Sequence, residues 1–153
     1  MVPLILSRRD RPLGSARGSE VVEFALVSPV VLLVLGGILD FGFLFNNYTV
    51  VTNAAREGAR MAALPGSAEA DVKERVNKYI QAAGLTLSGV STTVQPVAVV
   101  AGGSTVNAIK VQVSYPYNYM ILGPLVQMVG GGSFTGITLK TAATMRREVA
   151  AGL

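Results

Sequence analysis

The chain has 153 residues and a net charge of +4, with half of its residues hydrophobic and only 14% charged. This length allows one small domain plus an anchor rather than two full domains. It contains no cysteine and no histidine, which excludes disulfides, zinc sites of the usual Cys/His kind and Ser-His-Asp triads; we therefore expect a protein that is not an enzyme and takes no metal, cofactor or small-molecule substrate.

The basic residues are concentrated at the N-terminus. Residues 1–18 contain Arg8, Arg9, Arg11 and Arg17 against Asp10, a balance of +3 that leaves +1 for the rest of the chain. The high isoelectric point therefore does not describe a nucleic-acid-binding surface, and no nucleic acid partner is expected. The sequence predicts a basic leader over residues 1–18, held on the cytoplasmic side of a membrane.

A membrane-length apolar run follows the leader. No charged residue occurs from Phe24 to Leu39, and the apolar character resumes after Asp40 as far as Phe45. As a helix, residues 24–45 span about 33 Å at ~1.5 Å per residue, which matches a hydrocarbon core of ~30 Å. We predict a transmembrane helix over 19–45, crossing once, with its N-terminus cytoplasmic and the C-terminal part extracytoplasmic. A cleavable secretory signal is disfavoured, because its apolar region is shorter and ends in a small-residue cleavage site.

The helix is predicted to continue outside the membrane over residues 46–64. Ala55, Ala59 and Ala63 recur at a spacing of four, as do Ala54, Gly58 and Ala62, so two adjacent faces carry only small residues. Such faces allow close approach of another backbone, either from the chain's own domain or from a neighbouring subunit. The residues predicted to serve subunit packing are Glu23, Asp40, Ala55, Gly58 and Ala59.

Residues 65–153 are predicted to form a small α+β domain. Pro65-Gly66 ends the long helix, and a second helix is predicted from Ser67 as N-cap to Gly84 as the C-terminal glycine cap. Its apolar stripe is Val72, Val76, Ile80 and Ala83. Strands are predicted at 92–100, 106–115 and 134–145, and residues 120–129 as a short helix or hydrophobic flap. The predicted apolar faces are Ile109, Val111, Val113 and Tyr115 in the second strand and Ile137, Leu139, Ala143 and Met145 in the third. The fold class is therefore α+β: one long N-terminal helix, half transmembrane and half extracytoplasmic, with a small helix-plus-antiparallel-sheet domain packed on its outer half.

The start of the apolar run carries a processing motif. Gly18 is followed by Ser19-Glu20-Val21-Val22 and then by Glu23-Phe24. Alone, Glu23 is an ordinary carboxylate at the headgroup level. Together these residues resemble a type IV prepilin of the Flp/Tad class. The resemblance implies that the α+β fold is pilin-like and that a prepilin peptidase cleaves the Gly18–Ser19 bond. The freed amine of Ser19 would then pair with a Glu23 carboxylate in a low-dielectric helix bundle, where an unpaired charge is costly.

Four further segments indicate a particular family within the Flp/Tad class. These are Val-Glu-Phe-Ala-Leu-Val-x-Pro at 22–29, Asp40-Phe41-Gly42, Thr-Asn-Ala-Ala-Arg-Glu-Gly-Ala-Arg at 52–60 and Ala-Thr-Met-Arg-Arg-Glu at 143–148. They resemble the TadE-like family. The resemblance implies a minor pseudopilin or assembly component of a Tad secretion system in the bacterial inner membrane, with roles in adhesion and biofilm formation. Its implied partners are the prepilin peptidase, other pilins and pseudopilins, the Tad inner-membrane machinery and the lipid bilayer.

Two questions stay open from the sequence. Asn53, Arg56, Glu57 and Arg60 belong to the family-like block, and they are either a solvated face or a docking surface for the C-terminal domain or a neighbouring subunit. The protein is either a processed pseudopilin or an uncleaved single-pass anchor that presents a binding or adhesion module.

Overall fold

The computed structural model describes residues 14–128, 130–132 and 136–147. The leader arginines Arg8, Arg9 and Arg11 and the terminal Glu148 of the last family-like motif lie outside these residues. The described chain contains α1 (Gly14–Ala63), α2 (Glu69–Ala82), β1 (Ser91–Ala101), β2 (Ser104–Tyr117), α3 (Leu122–Met128) and β3 (Ile137–Arg146). The predicted α+β class, with a long N-terminal helix, a small helix and an antiparallel sheet, is confirmed.

Helix α1 passes through Pro29 without a break. Proline has no N–H, so it leaves the carbonyl oxygen of Ala25, four residues earlier, without its usual helical donor. The hydroxyl of Ser28 donates to that oxygen at 3.3 Å. A side chain of the helix thus satisfies the acceptor that proline leaves open, as a helix in lipid requires.

The N-cap of helix α2 lies one residue later than predicted. Ala68 is the N-cap, and its N–H donates to Oδ2 of Asp71 at 3.2 Å. The prediction of Ser67 was wrong because its hydroxyl instead donates back to the carbonyl oxygen of Met61 at 2.7 Å, which closes the turn after α1. Gly84 follows the helix with a φ of +78°, which confirms the predicted glycine cap.

The buried stripe of α2 is shorter than predicted. Val72, Val76 and Ile80 are buried. Ala83 lies beyond the last helical residue and is exposed, so its inclusion in the stripe was wrong.

The three strands form one antiparallel sheet in the order β1-β2-β3. Val111 of β2 lies opposite Val94 on one side and Ala143 on the other. The predicted buried face of β2 is confirmed by the burial of Ile109, Val111, Val113 and Tyr115.

The third strand differs from its prediction in two ways. It begins at Ile137, and the predicted start at 134–135 lies outside the described residues. Its buried residues are Leu139 and Thr141, whereas Ile137 and Met145, predicted to share the apolar face, are exposed near the strand ends. Thr141 fits in the core because its hydroxyl donates to the carbonyl oxygen of Val51 at 3.3 Å.

The hydrophobic core lies between the second half of α1, helix α2 and one face of the sheet. Its largest fully buried apolar side chains are Val51, Val72, Val76, Ile80, Val111 and Val113, and small residues of α1, Ala54, Ala55, Ala59 and Ala62, complete it. The close approach of the sheet and α2 to α1 depends on these small side chains.

Candidate functional site

The apolar half of α1 is the first candidate functional surface. Within the described chain, the stretch Gly18–Ala63 is long and apolar enough to cross a membrane, and the surface of its most apolar part is almost entirely uncovered by the rest of the protein. Large exposed side chains occur on all sides of it, among them Val22, Leu26, Val30, Leu35 and Phe45. A helix that is apolar all round without being buried in protein matches lipid as its surroundings.

The processing motif lies at the start of this surface. Gly18, Ser19, Glu23 and Phe24 are exposed helical residues. Apart from its chain neighbours and the backbone of its own helix, no atom of the described residues lies within 4 Å of a Cβ added to Gly18. Ser19 and Glu23 are four residues apart on a helix and therefore share a face, one turn from each other. The described part of the C-terminal domain thus leaves the Gly18–Ser19 bond uncovered, with the glutamate one turn beyond it.

Asp40 is the most constrained polar group of the apolar half. Its side chain has no solvent exposure. Its Oδ1 accepts the N–H of Met120 at 3.0 Å, and its Oδ2 accepts the N–H of Ile121 at 3.1 Å and of Leu122 at 2.6 Å. The carboxylate therefore binds the N–H of the first residue of α3 and those of the two residues before it, where the helix dipole also favours negative charge. We call these three hydrogen bonds the Asp40–α3 contact.

Tyr117 reinforces this contact from the end of β2. Its hydroxyl donates to the main-chain carbonyl oxygen of Asp40 at 3.0 Å. Its ring meets that of Tyr119 edge to face, with 5.5 Å between the ring centroids. Burial, and secondarily the Asp40 carboxylate, raises the pKa of Tyr117, so the hydroxyl stays neutral and remains a donor.

Gly36 allows α3 to lie against α1. A Cβ at this position would be 2.9 Å from Cγ2 of Ile121 and 3.0 Å from Cδ1 of Leu125. At Gly37 the nearest atom to an added Cβ is Cδ2 of Leu122, at 4.0 Å. The glycine pair in the apolar half therefore marks the place where α3 approaches the backbone of α1.

The family-like block at 52–60 packs mainly within the chain. Ala55 and Ala59 are buried, and a Cβ on Gly58 would be 2.6 Å from Cγ2 of Val76. For these residues, and for Asp40, the structure favours packing within the chain's own fold over exposure to a neighbour. Their role between subunits stays a prediction.

The charged residues of the block divide into two groups. Glu57 accepts hydrogen bonds from the guanidinium of Arg75, with Nε at 3.0 Å, and so joins α1 to α2. Arg56 and Arg60 are exposed, and Asn53 is half-buried. Since Arg75 is itself largely exposed, we expect the ion pair to contribute at most ~1 kcal/mol.

Sequence reasoning missed the partners of Asp40. The amides of Met120, Ile121 and Leu122 lie 80 or more positions away, and backbone donors leave no trace in residue identity. Two signals were present: the glycine pair at Gly36-Gly37 and the tyrosine-rich segment 115–119 before α3.

Comparison with known proteins identifies the segment that carries these features. Residues 18–60 match the family model of TadE-like proteins. The predicted resemblance is thereby confirmed over a segment that covers less than a third of the chain. Neither the curated proteins nor the solved structures gave a match.

This TadE-like segment contains every predicted site residue, from Gly18 to Arg60. It also contains Gly36 and Asp40, whose partners on α3 lie outside it. The match and the apolar helix together indicate a membrane-anchored, Tad pilus-associated component. Among the described residues, one helix, α1, is long and apolar enough to be the anchor.

Proposed function

We propose that this protein is a minor pseudopilin or assembly component of a Tad (Flp) type IV pilus secretion system. The observation that carries the proposal is the TadE-like segment, which begins at the glycine of the processing motif and includes the exposed apolar half of α1. The role is structural rather than enzymatic: α1 packs with the helices of other pilins or pseudopilins and with the Tad inner-membrane machinery. Through the pilus, the protein serves adhesion and biofilm formation.

The proposed organisation follows from charge and hydropathy. Residues 1–18 are the leader, 19–45 the span, 46–64 the continuation of the helix and 65–153 the extracytoplasmic domain. The leader arginines hold the N-terminus on the cytoplasmic side of the bacterial inner membrane by the positive-inside rule. The prepilin peptidase therefore meets the Gly18–Ser19 bond at the cytoplasmic face.

Cleavage creates a positively charged amine at Ser19, close to the carboxylate of Glu23 on the same helix. The new amine of Ser19 lies one helical turn from Glu23. In the bilayer an unpaired charge of either sign is costly, so the amine and a carboxylate, from the same chain or a neighbour, stabilise each other. Glu23 thus favours the processed chain inside an assembly.

The first experiment measures processing. The full-length protein is expressed in a bacterial membrane with and without a Tad prepilin peptidase, and its mass is determined by mass spectrometry. We expect loss of residues 1–18 only with the peptidase, and none in Gly18→Ala, whereas Gly14→Ala, with its substitution inside the leader, is cleaved normally. Full-length protein under both conditions would instead support the uncleaved membrane-anchored binding or adhesion module.

The second experiment separates cleavage from assembly. Glu23→Ala is expected to be cleaved but to reduce pilus formation in the parent bacterium, because the amine of Ser19 loses its partner. Glu20→Ala removes a neighbouring exposed carboxylate of the same helix and serves as the matched control. Equal piliation in the two variants would contradict the role assigned to Glu23.

A further inference from the structure

The connection between β2 and β3 has the composition of a membrane-contacting segment. Residues 111–139 contain no Asp, Glu, Lys or Arg. Within this stretch, Met120 and Met128, which flank and end α3, have 71% and 80% of their surface exposed. Large exposed apolar side chains on a short uncharged helix require a covering that the described chain does not supply.

The position of α3 along α1 indicates what covers it. Helix α3 packs at Gly36 and Gly37, and after these glycines the next two adjacent polar side chains of α1 are Asn46-Asn47. Ten residues of helix separate Gly36 from Asn46, or about 15 Å. Helix α3 therefore lies on the membrane side of this polar pair, at the level of the exposed apolar residues Ile38 and Leu39 of α1.

The Asp40–α3 contact supports the same placement. A carboxylate at this level of a span is costly unless it is hydrogen-bonded and shielded from lipid. The three amides of residues 120–122 bind it, and it has no exposed surface. Helix α3 thus makes the carboxylate compatible with an apolar environment, and the carboxylate in turn satisfies backbone donors that lipid leaves unpaired.

We propose that α3 is an interfacial membrane segment that lies at the boundary of headgroups and acyl chains in the outer leaflet and sets the depth of the C-terminal domain. The proposal rests on α1 being a membrane span, as in the proposed function. Lipid is the occupant because the uncharged surface of α3 is continuous with the lipid-facing surface of α1. Tyr119 beside α3 and the exposed Tyr48 of α1 are of the type enriched at membrane interfaces.

The experiment uses the absence of cysteine from the chain. Full-length single-cysteine variants carry an environment-sensitive fluorophore in vesicles of phosphatidylcholine and phosphatidylglycerol that contain lipids with a nitroxide high on the acyl chain. Met128→Cys and Met120→Cys report on α3. Leu26→Cys, at a residue 77% exposed, reports on the span.

Val100→Cys provides the matched exposed control, since Val100 is 74% exposed and lies at the far end of the hairpin. It pairs with Thr105, twelve residues along β2 from Tyr117, or roughly 40 Å at ~3.3 Å per residue. We expect the nitroxide lipids to quench the fluorophore at residues 26, 120 and 128 several-fold more than at residue 100. A water-soluble maleimide should label residue 100 several-fold faster than residue 128.

Two outcomes overturn the proposal, and they differ in what they say of the proposed function. If residue 26 is quenched while residues 120 and 128 behave like residue 100, α3 lies in water or against protein. The assignment of α1 as a membrane span is then still supported. Cross-linking of residue 128 to a second copy would then identify a neighbouring subunit as its cover. If residue 26 is not quenched either, the membrane anchor of the proposed function fails as well.

Discussion

The backbone N–H of Leu122 donates to Oδ2 of Asp40 at 2.6 Å and joins residues 82 positions apart in the chain. The amides of Met120 and Ile121 bind the same carboxylate. One side chain in the apolar half of α1 therefore holds the start of α3 in place.

Replacing Asp40 by alanine is expected to expose the start of α3. The change leaves the N–H groups of residues 120–122 without their acceptor, which costs about 1–3 kcal/mol for a buried donor and corresponds to roughly 5- to 150-fold faster amide exchange. Hydrogen–deuterium exchange of the full-length protein in detergent micelles measures this directly. Asp71→Ala, which removes the aspartate that accepts the N–H of Ala68, should leave these amides unchanged; similar exchange in both variants would contradict the prediction.

Gly36→Val is expected to push α3 away from α1. An added Cβ already lies 2.9 Å from Cγ2 of Ile121, so the branched side chain of valine has no room. A cysteine pair, Gly37→Cys with Leu122→Cys, reports the contact through disulfide formation. Gly42→Val is the control, because no atom lies within 4 Å of a Cβ at that position. Unchanged disulfide yield in the Gly36 variant would show that α3 tolerates the added volume.

The parts of the fold with periodic burial were predictable from the sequence. The buried face of β2 and the stripe Val72, Val76 and Ile80 follow the spacings of a strand and a helix. The N-cap of α2 was not predictable in the same way, because two arrangements suit the local sequence. Either Ser67 is the N-cap, or Ala68 is the N-cap and its N–H donates to the carboxylate of Asp71. The turn after α1 decides between them, because it brings the hydroxyl of Ser67 to the carbonyl oxygen of Met61.

The candidate site likewise has one part that could be predicted from the sequence and one part that could not. The processing motif could be predicted because it depends on residue identity at fixed local spacing. The environment of Asp40 could not, since its partners are main-chain groups beyond the hairpin. Thr141 was missed for a related reason: its acceptor is the main chain of α1 at Val51, which makes a polar residue acceptable in the core.

Gly58→Ala is expected to destabilise the C-terminal domain. The added Cβ would be 2.6 Å from Cγ2 of Val76 and 3.3 Å from Cγ1 of Val111. Overpacking of this kind costs about 1–3 kcal/mol, which exceeds the roughly 0.5–1 kcal/mol that alanine gains over glycine in a helix. Thermal unfolding in detergent micelles, followed by the near-ultraviolet circular dichroism of the tyrosines, measures the change. Gly42→Ala, which adds a Cβ to the same helix without a clash, should not lower the midpoint of this transition. If the midpoint of Gly58→Ala is no lower than that of the wild type, the core accommodates the added methyl group and the prediction is wrong.

Tyr117 is expected to make stability depend on alkaline pH. Its pKa in the folded protein lies above the ordinary value of about 10, so its contribution is fully present below that value and is lost as pH rises through the folded pKa. At neutral pH, Tyr117→Phe should be less stable by about 0.5–1.5 kcal/mol, because the hydrogen bond to Asp40 is removed. The difference should shrink above about pH 10.

Unfolding of the wild type and of Tyr117→Phe between neutral and alkaline pH tests this dependence. Tyr79→Phe, at an exposed position of α2, is the control for the general effect of removing a phenol. If the stability difference between the wild type and Tyr117→Phe stays constant across this range, the titration of Tyr117 does not affect stability and the prediction is wrong.

The C-terminal domain is attached to α1 at two levels, at Asp40 through α3 and from Val51 to Ala62 through the core. About 16 Å of helix separates Asp40 from Val51. With a single attachment the domain could rotate relative to α1. Two attachments at different heights fix both its tilt against α1 and its position around the axis of α1. When α1 rotates about its axis in a membrane or a fibre, the sheet of the C-terminal domain therefore rotates with it by the same angle.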